Sequence, residues 1–313
     1  MVGTVGKKIL MCFAVVCVVC SVTIAVVEPE HALQNVLTHW MNIHGIQRTT
    51  KMLPGYTVRY YEGGVENKET VVLLHGIGGN AATSWYRLLP KLAATYHVLA
   101  PDLISANFSA LSNTSQYSLL MDKNLVQVLL RDRGVTSAQF VGVSFGGLLA
   151  LHLAAERPAL VTSLALITPV GYDVDTLTAN LNAQGDNAGK WFYQNLFQHP
   201  LPVPDVLLAG QYDRINILAR NIPSILERIR ARETLLPDLA RIAQPTMVIW
   251  GKDDKIFPIA TARPVVDAIS DVDFLVYEDC GHGVVWDQPE LLERNLVTFL
   301  SDHTRKGRVN GTD

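Results

Sequence analysis

The segment of this chain best suited to covalent chemistry is Gly142-Val143-Ser144-Phe145-Gly146-Gly147. It follows the apolar run Gln139 to Val143 and precedes Leu148-Leu149-Ala150-Leu151, which has helical character, so the backbone must turn sharply from strand to helix at Ser144. A turn that tight pushes its central side chain outward, and glycines on either side keep it free of clashes. A serine hydroxyl is a weak nucleophile near neutral pH. It needs a histidine to take its proton and a carboxylate to hold that histidine in the right tautomer. Two further segments offer such groups: Trp250-Gly251-Lys252-Asp253-Asp254, after the apolar run Thr246 to Trp250, and Cys280-Gly281-His282-Gly283, after Phe274 to Tyr277. Either Asp253 or Asp254 could be the carboxylate, and His282 is the base candidate.

These residues need elements that bring them to one place. Short apolar runs alternate with helical patterns along most of the chain. The strand-like runs are Tyr56 to Tyr61, Val71 to His75, His97 to Pro101, Gln139 to Val143, Ser163 to Thr168, Thr246 to Trp250 and Phe274 to Tyr277. Helical stretches lie near Trp85 to Thr95, Ser118 to Arg133, Phe145 to Glu156, Ile259 to Ile269 and Pro289 to Leu300. Continuous apolar strands separated by helices predict an α/β fold, doubly wound around a mostly parallel sheet. Active groups of such folds gather at the carboxyl edge of the strands, and Ser144, the aspartates and His282 all follow strands. Residues 171–242 contain helical patterns and proline turns without a convincing strand, which predicts a helical insertion.

Composition narrows the alternatives. Hydrophobic residues make up 49% and the net charge is -3, so the chain is globular and has no basic field to hold nucleic acid. Three of the four cysteines, Cys12, Cys17 and Cys20, sit in the apolar N-terminal run, leaving Cys280 alone in the remainder; no disulfide framework or zinc spacing results. No metal and no cofactor is expected. From Ile9 to Val27 no residue is charged, and Lys7 and Lys8 precede the run. That length crosses a bilayer core of about 30 Å as a helix, with the lysines kept inside and the rest exported. A cleaved signal ending near Thr23-Ile24-Ala25 is the rival reading. The expected organisation is an N-terminal region over 1–8, an anchor or signal over 9–27 and a connecting stretch over 28–54. A main domain over 55–303 and a frayed tail over 304–313 complete it.

The motifs, in order, are His75-Gly76 after a strand, Pro101-Asp102, the serine turn, Trp250-Gly251-x-x-Asp254 and Gly281-His282. In this order, from Gly55 to Leu300, the sequence resembles the α/β-hydrolase family. The resemblance implies a Ser-Asp-His triad in that chain order, and its spacing from Gly251 points to Asp254 in place of Asp253. It also implies a helical lid, which the strandless insertion matches, and an oxyanion hole formed by the backbone N–H groups of Ile77 and Phe145. His75 is then expected to brace the oxyanion loop, Asp102 to accept backbone hydrogen bonds and Cys280 to be a small buried hydrophobe. The chain departs from many relatives in Leu103-Ile104-Ser105-Ala106-Asn107 after Pro-Asp and in Val143 within the turn. The implied activity is hydrolysis of small-molecule or lipid-like esters with apolar acyl groups through an acyl-enzyme, on the exported side of a membrane. Hydrolysis of a carbon-carbon bond by the same triad is an alternative. A catalytically inactive surface interaction module on this fold is another, and the three groups at workable spacing argue against it. Trp191, Phe192, Tyr193 and Phe197 fall on one side of a helix in the insertion, where core packing and the lining of an acyl pocket are both open.

Overall fold

A computed structural model describes residues 29–104, 117–170, 174–200, 212–213, 215–221 and 235–309. The described residues form one eight-stranded sheet in the order β1-β2-β4-β3-β5-β6-β7-β8. Its strands are β1 (Gln47–Leu53), β2 (Tyr56–Gly63), β3 (Thr70–Leu74), β4 (His97–Pro101), β5 (Ala138–Val143), β6 (Val161–Ile167), β7 (Thr246–Gly251) and β8 (Val272–Tyr277). The β1–β2 and β2–β4 pairs are antiparallel; from β4 through β3, β5, β6 and β7 to β8 every pair is parallel. The doubly wound, mostly parallel sheet expected from the sequence is therefore present.

Burial explains why the strands read as unbroken apolar runs. Every residue of β3, β4, β5 and β7 is buried, because helices cover both faces of the sheet. One core cluster holds Val72, Leu74, Phe140, Leu148, Leu164 and Trp250; a second holds Val71, Leu73, Val141, Ile167, Ile249 and Leu296. Neighbouring residues of one strand, such as Leu73 and Leu74, thus feed opposite cores, as the period of two requires.

Residues 29–54, within the stretch 28–54 read from sequence as a connecting segment, pack as part of the domain. Helix α1 (Pro29–Ile43) places Leu37 and Met41 in the second core, and β1 forms the sheet edge against β2. Its strand character is hidden because β1 is an edge strand, Gln-Arg-Thr-Thr-Lys-Met-Leu, exposed at most positions and without apolar alternation. The C-terminal helix (Pro289–Val309) runs past the expected end near Leu300, so much of the tail is helical. Among the described residues no helix is long and apolar enough to cross a membrane. The expected anchor over 9–27, and Cys12, Cys17 and Cys20 with it, lie outside the described residues.

In the expected insertion, Val174–Gln184 and Ala188–Leu196 are α-helices, and residues 215–221 are helical too. No strand occurs among the described residues of 171–242.

Candidate functional site

Five adjacent parallel strands end along one edge of the sheet, and each delivers a piece of the site there. β5 ends at Ser144, whose backbone has φ 51 and ψ −116 before helix α2 (Phe145–Glu156) begins. A serine in that region is strained by roughly 1–3 kcal/mol and persists only because its surroundings fix it. Those surroundings are identifiable. Ser144 N–H donates to Ile167 O of β6 at 2.9 Å, Val170 N–H donates to Ser144 O at 3.1 Å, and Gly147 and Leu148 N–H reach the same oxygen. Close approach also demands the glycines, because a Cβ on Gly142 would lie 2.4 Å from Gly146 O and one on Gly146 would lie 2.2 Å from Leu74 O. The elbow therefore sits directly on β3 and cannot carry larger residues at those positions.

From β7, Asp254 is buried, and each of its oxygens has work. Oδ1 accepts the N–H groups of Ile256 and Phe257, both at 2.8 Å, while Oδ2 lies 2.8 Å from His282 Nδ1. His282, buried after β8, has its ring 5.5 Å from that of Phe257. A buried carboxylate facing Nδ1 places the imidazole proton there and leaves Nε2 as the free base. Asp253 makes no such contact; its backbone N–H goes to Cys280 O at 2.9 Å and its side chain is half-buried. The structure thus brings Asp254 and His282 together and leaves Asp253 aside, as the Gly251 spacing anticipates. Thr168, one residue past β6, ties the two halves: its neighbour Ile167 holds the Ser144 backbone, and its own hydroxyl donates to His282 O at 3.4 Å. No sequence motif marked Thr168. Its φ of 41 is unusual for a β-branched residue, and such strain is visible only in the fold.

Two N–H groups are expected to form an oxyanion hole, those of Phe145 and Ile77. Phe145 is the first residue of α2, where the N–H has no partner within the helix and the helix dipole is positive. Neither Phe145 N–H nor Ile77 N–H donates to any group among the described residues. The loop carrying Ile77 is braced as expected: Leu103 N–H donates to His75 Nε2 at 2.9 Å, so the proton sits on Nδ1 and points to Gly76 O at 2.8 Å. Gly76 itself touches the serine, since a Cβ there would lie 3.3 Å from Ser144 Cβ. Asp102 accepts Ala81 N–H at 2.9 Å, capping backbone as the sequence suggested.

Cys280 is fully buried, and burial, helped by the charges of Asp287 and Asp254, pushes its thiol far above the ordinary range. Such a thiol does not ionise near neutral pH and packs as a small hydrophobe. Trp191 and Phe192 pack against the first core, while Tyr193 stacks edge-on to Phe197 and Tyr212 with ring centroids 5.4 and 6.0 Å apart. Described residues of the insertion reach the site loops at two points. Phe197 and Leu196 lie on Gly283 beside His282, and a Cβ on Gly78 would lie 3.4 Å from Leu218.

Comparison with known proteins gives the same outline. The profile of the alpha/beta hydrolase family matches residues 71–294. The chain is 25% identical over 292 residues to monoacylglycerol lipase abhd6-A of Xenopus laevis, covering 84% of this chain and 85% of that one. It is 27% identical over 271 residues to 2-hydroxy-6-oxo-6-phenylhexa-2,4-dienoate hydrolase of Comamonas testosteroni, covering 80% and 93%. The fold resembles the crystal structure of a membrane phospholipase A described as a bacterial virulence factor, with TM-score 0.75, 24% identity and coverage of 95% and 99%. It also resembles the meta-cleavage product hydrolase of Pseudomonas fluorescens IP01, with TM-score 0.69, 22% identity and coverage of 81% and 97%.

Proposed function

The chain belongs to the alpha/beta hydrolase family, and from that premise we propose that it is a serine hydrolase of carboxylic esters working through an acyl-enzyme. The observation that carries the reading is the pairing of His282 Nδ1 with Asp254 Oδ2 at 2.8 Å, on the sheet edge where Ser144 stands at φ 51. In this reading His282 Nε2 takes the Ser144 proton as Oγ attacks the ester carbonyl. The resulting oxyanion meets the N–H groups of Ile77 and Phe145, which are preorganised and so need no reorientation as charge develops. His282 then returns the proton to the departing alkoxide, leaving an ester on Ser144. Water, deprotonated by the same imidazole, attacks that ester and releases the acid while Ser144 regains its proton.

Lipid-like or other apolar acyl esters are the substrate class. The aromatic insertion over the site supports this, as do a relative named monoacylglycerol lipase and an N-terminal run that would hold the enzyme beside a bilayer with its catalytic domain on the exported side. The relatives named as dienoate hydrolases, at 27% identity, favour one second reading: cleavage of a carbon-carbon bond by the same residues.

Turnover of p-nitrophenyl esters of increasing chain length, measured beside a 2-hydroxy-6-oxo-dienoate, separates the two. The ester reading expects kcat/KM to rise with acyl length and the dienoate to be turned over at least about tenfold less efficiently, a difference of about 1.4 kcal/mol in transition-state binding. Preferential cleavage of the dienoate would replace esters with carbon-carbon bonds.

A further inference from the structure

Both neighbours of His282 are pressed against the insertion. Gly283 N–H donates to Leu196 O at 2.6 Å, and a Cβ on Gly283 would lie 2.5 Å from Phe197 Cδ1. A Cβ on Gly281 would lie 2.9 Å from Gln198 N. One side chain stitches this contact together. Asp287 ends the short helix Val284–Asp287 that follows His282; its Oδ2 accepts Gly281 N–H at 2.8 Å and Gln198 N–H at 2.9 Å. Its Oδ1 receives His199 N–H at 3.4 Å. Alongside, His199 Nε2 pairs with Asp279 Oδ2 at 2.9 Å, a second link between the same two segments, and this partner raises the imidazole's pKa.

We propose that Asp287 is a positioning residue for the reaction, fixing the His282 loop and the insertion edge Leu196–His199 as one unit; the inference rests on His282 being the base. Three N–H groups converge on Asp287, two from the insertion and one from the residue before His282. Only an acceptor can satisfy them all. A carboxylate offers two oxygens and no donor, whereas an amide would turn an NH₂ toward one of those N–H groups. Hydrogen bonds to a charged acceptor are also the stronger kind. The loop bearing His282 is otherwise glycine on both sides, so its placement depends on what it leans against, and a displacement of about 1 Å in a catalytic group costs about 100-fold in rate.

The test uses the full chain and three proteins: wild type, Asp287→Ala and Asp287→Asn. Active sites are titrated to completion with a fluorophosphonate, the adduct is located by peptide mass, and kcat is expressed per titrated site beside the melting temperature. Asp287→Ala is expected to lose about 100-fold in kcat per titrated site, with a smaller change in KM. Asp287→Asn should lose less, because its carbonyl oxygen still accepts Gly281 and Gln198 N–H. A purely structural role would lower the melting temperature and the number of titratable sites while leaving kcat per site at the wild-type value, and that result overturns the proposal. Asp287→Asn no more active per site than Asp287→Ala also overturns it. Should the alanine variant not fold, wild-type kcat per site in Asp287→Asn is sufficient refutation. A wild-type adduct on a residue other than Ser144 would instead refute the triad on which the inference rests.

Discussion

At the scale of the residue, the account turns on which atom holds which proton. Asp254 Oδ1 is occupied by two backbone N–H groups, so Oδ2 alone faces His282 Nδ1. In Asp254→Asn the amide oxygen keeps the backbone pair and the NH₂ turns to Nδ1. The imidazole proton is then driven to Nε2, where it cannot accept the serine proton. Removal of a triad acid in this manner costs about 10⁴-fold in kcat, and steady-state ester hydrolysis should show a loss of that order. Asp253→Asn should stay within about twofold of wild type, since it is Asp254 Oδ2 that faces His282 Nδ1. The reverse ranking would move the acid by one residue. Ser144, Asp254 and His282 were legible because each follows an apolar strand and two carry a glycine signature. Asp287 and Thr168 were not, because they act through backbone groups supplied by segments distant in sequence. Gln198 and His199, for example, meet Asp287 only once the insertion has folded back.

At the scale of the element, the elbow is a contact between helix α2 and strand β3 made possible by the absence of a side chain. Leu74 O stands 2.2 Å from where a Gly146 Cβ would be, and a strand carbonyl in the sheet centre cannot step aside. Gly185 offers the opposite case: its φ is 53 and nothing lies within 4 Å of its would-be Cβ. Gly185→Ala should therefore cost only the conformational strain of a left-handed residue, about 1–2 kcal/mol. Gly146→Ala should cost at least about 3 kcal/mol, the upper end for overpacking, and should reduce activity as the helix lifts from the strand. Urea denaturation of both variants checks this, and equal losses would contradict the close-contact explanation. Elements with strong apolar runs were readable in the sequence. Edge strand β1 was not, because it is exposed at most of its positions and so shows neither a buried apolar run nor an apolar alternation.

At the scale of the whole molecule, the proposed function joins a sheet whose strand ends carry the site, an insertion that reaches it and an uncharged N-terminal run, and the last of these is open to direct test. If residues 9–27 form the anchor, full-length protein should sediment with membranes, resist carbonate extraction and be cut by protease added to the exported face. Recovery in the soluble fraction with an N-terminus at Val26 would indicate a cleaved signal, and protection from that protease would reverse the orientation. The mostly parallel sheet and the site edge were legible from chain pattern, whereas the strand order was not, and the inclusion of residues 29–54 in the domain depended on α1 burying Leu37 and Met41 in the second core. The central claim, that this architecture activates one serine, is tested most directly by covalent trapping. The protein is reacted with a fluorophosphonate and the modified peptide is identified by mass, with Ser144→Ala treated in parallel. The account expects a single adduct on Ser144 and neither labelling nor ester turnover in the variant. An adduct on another residue, or ester hydrolysis persisting in Ser144→Ala at the wild-type rate, would contradict it.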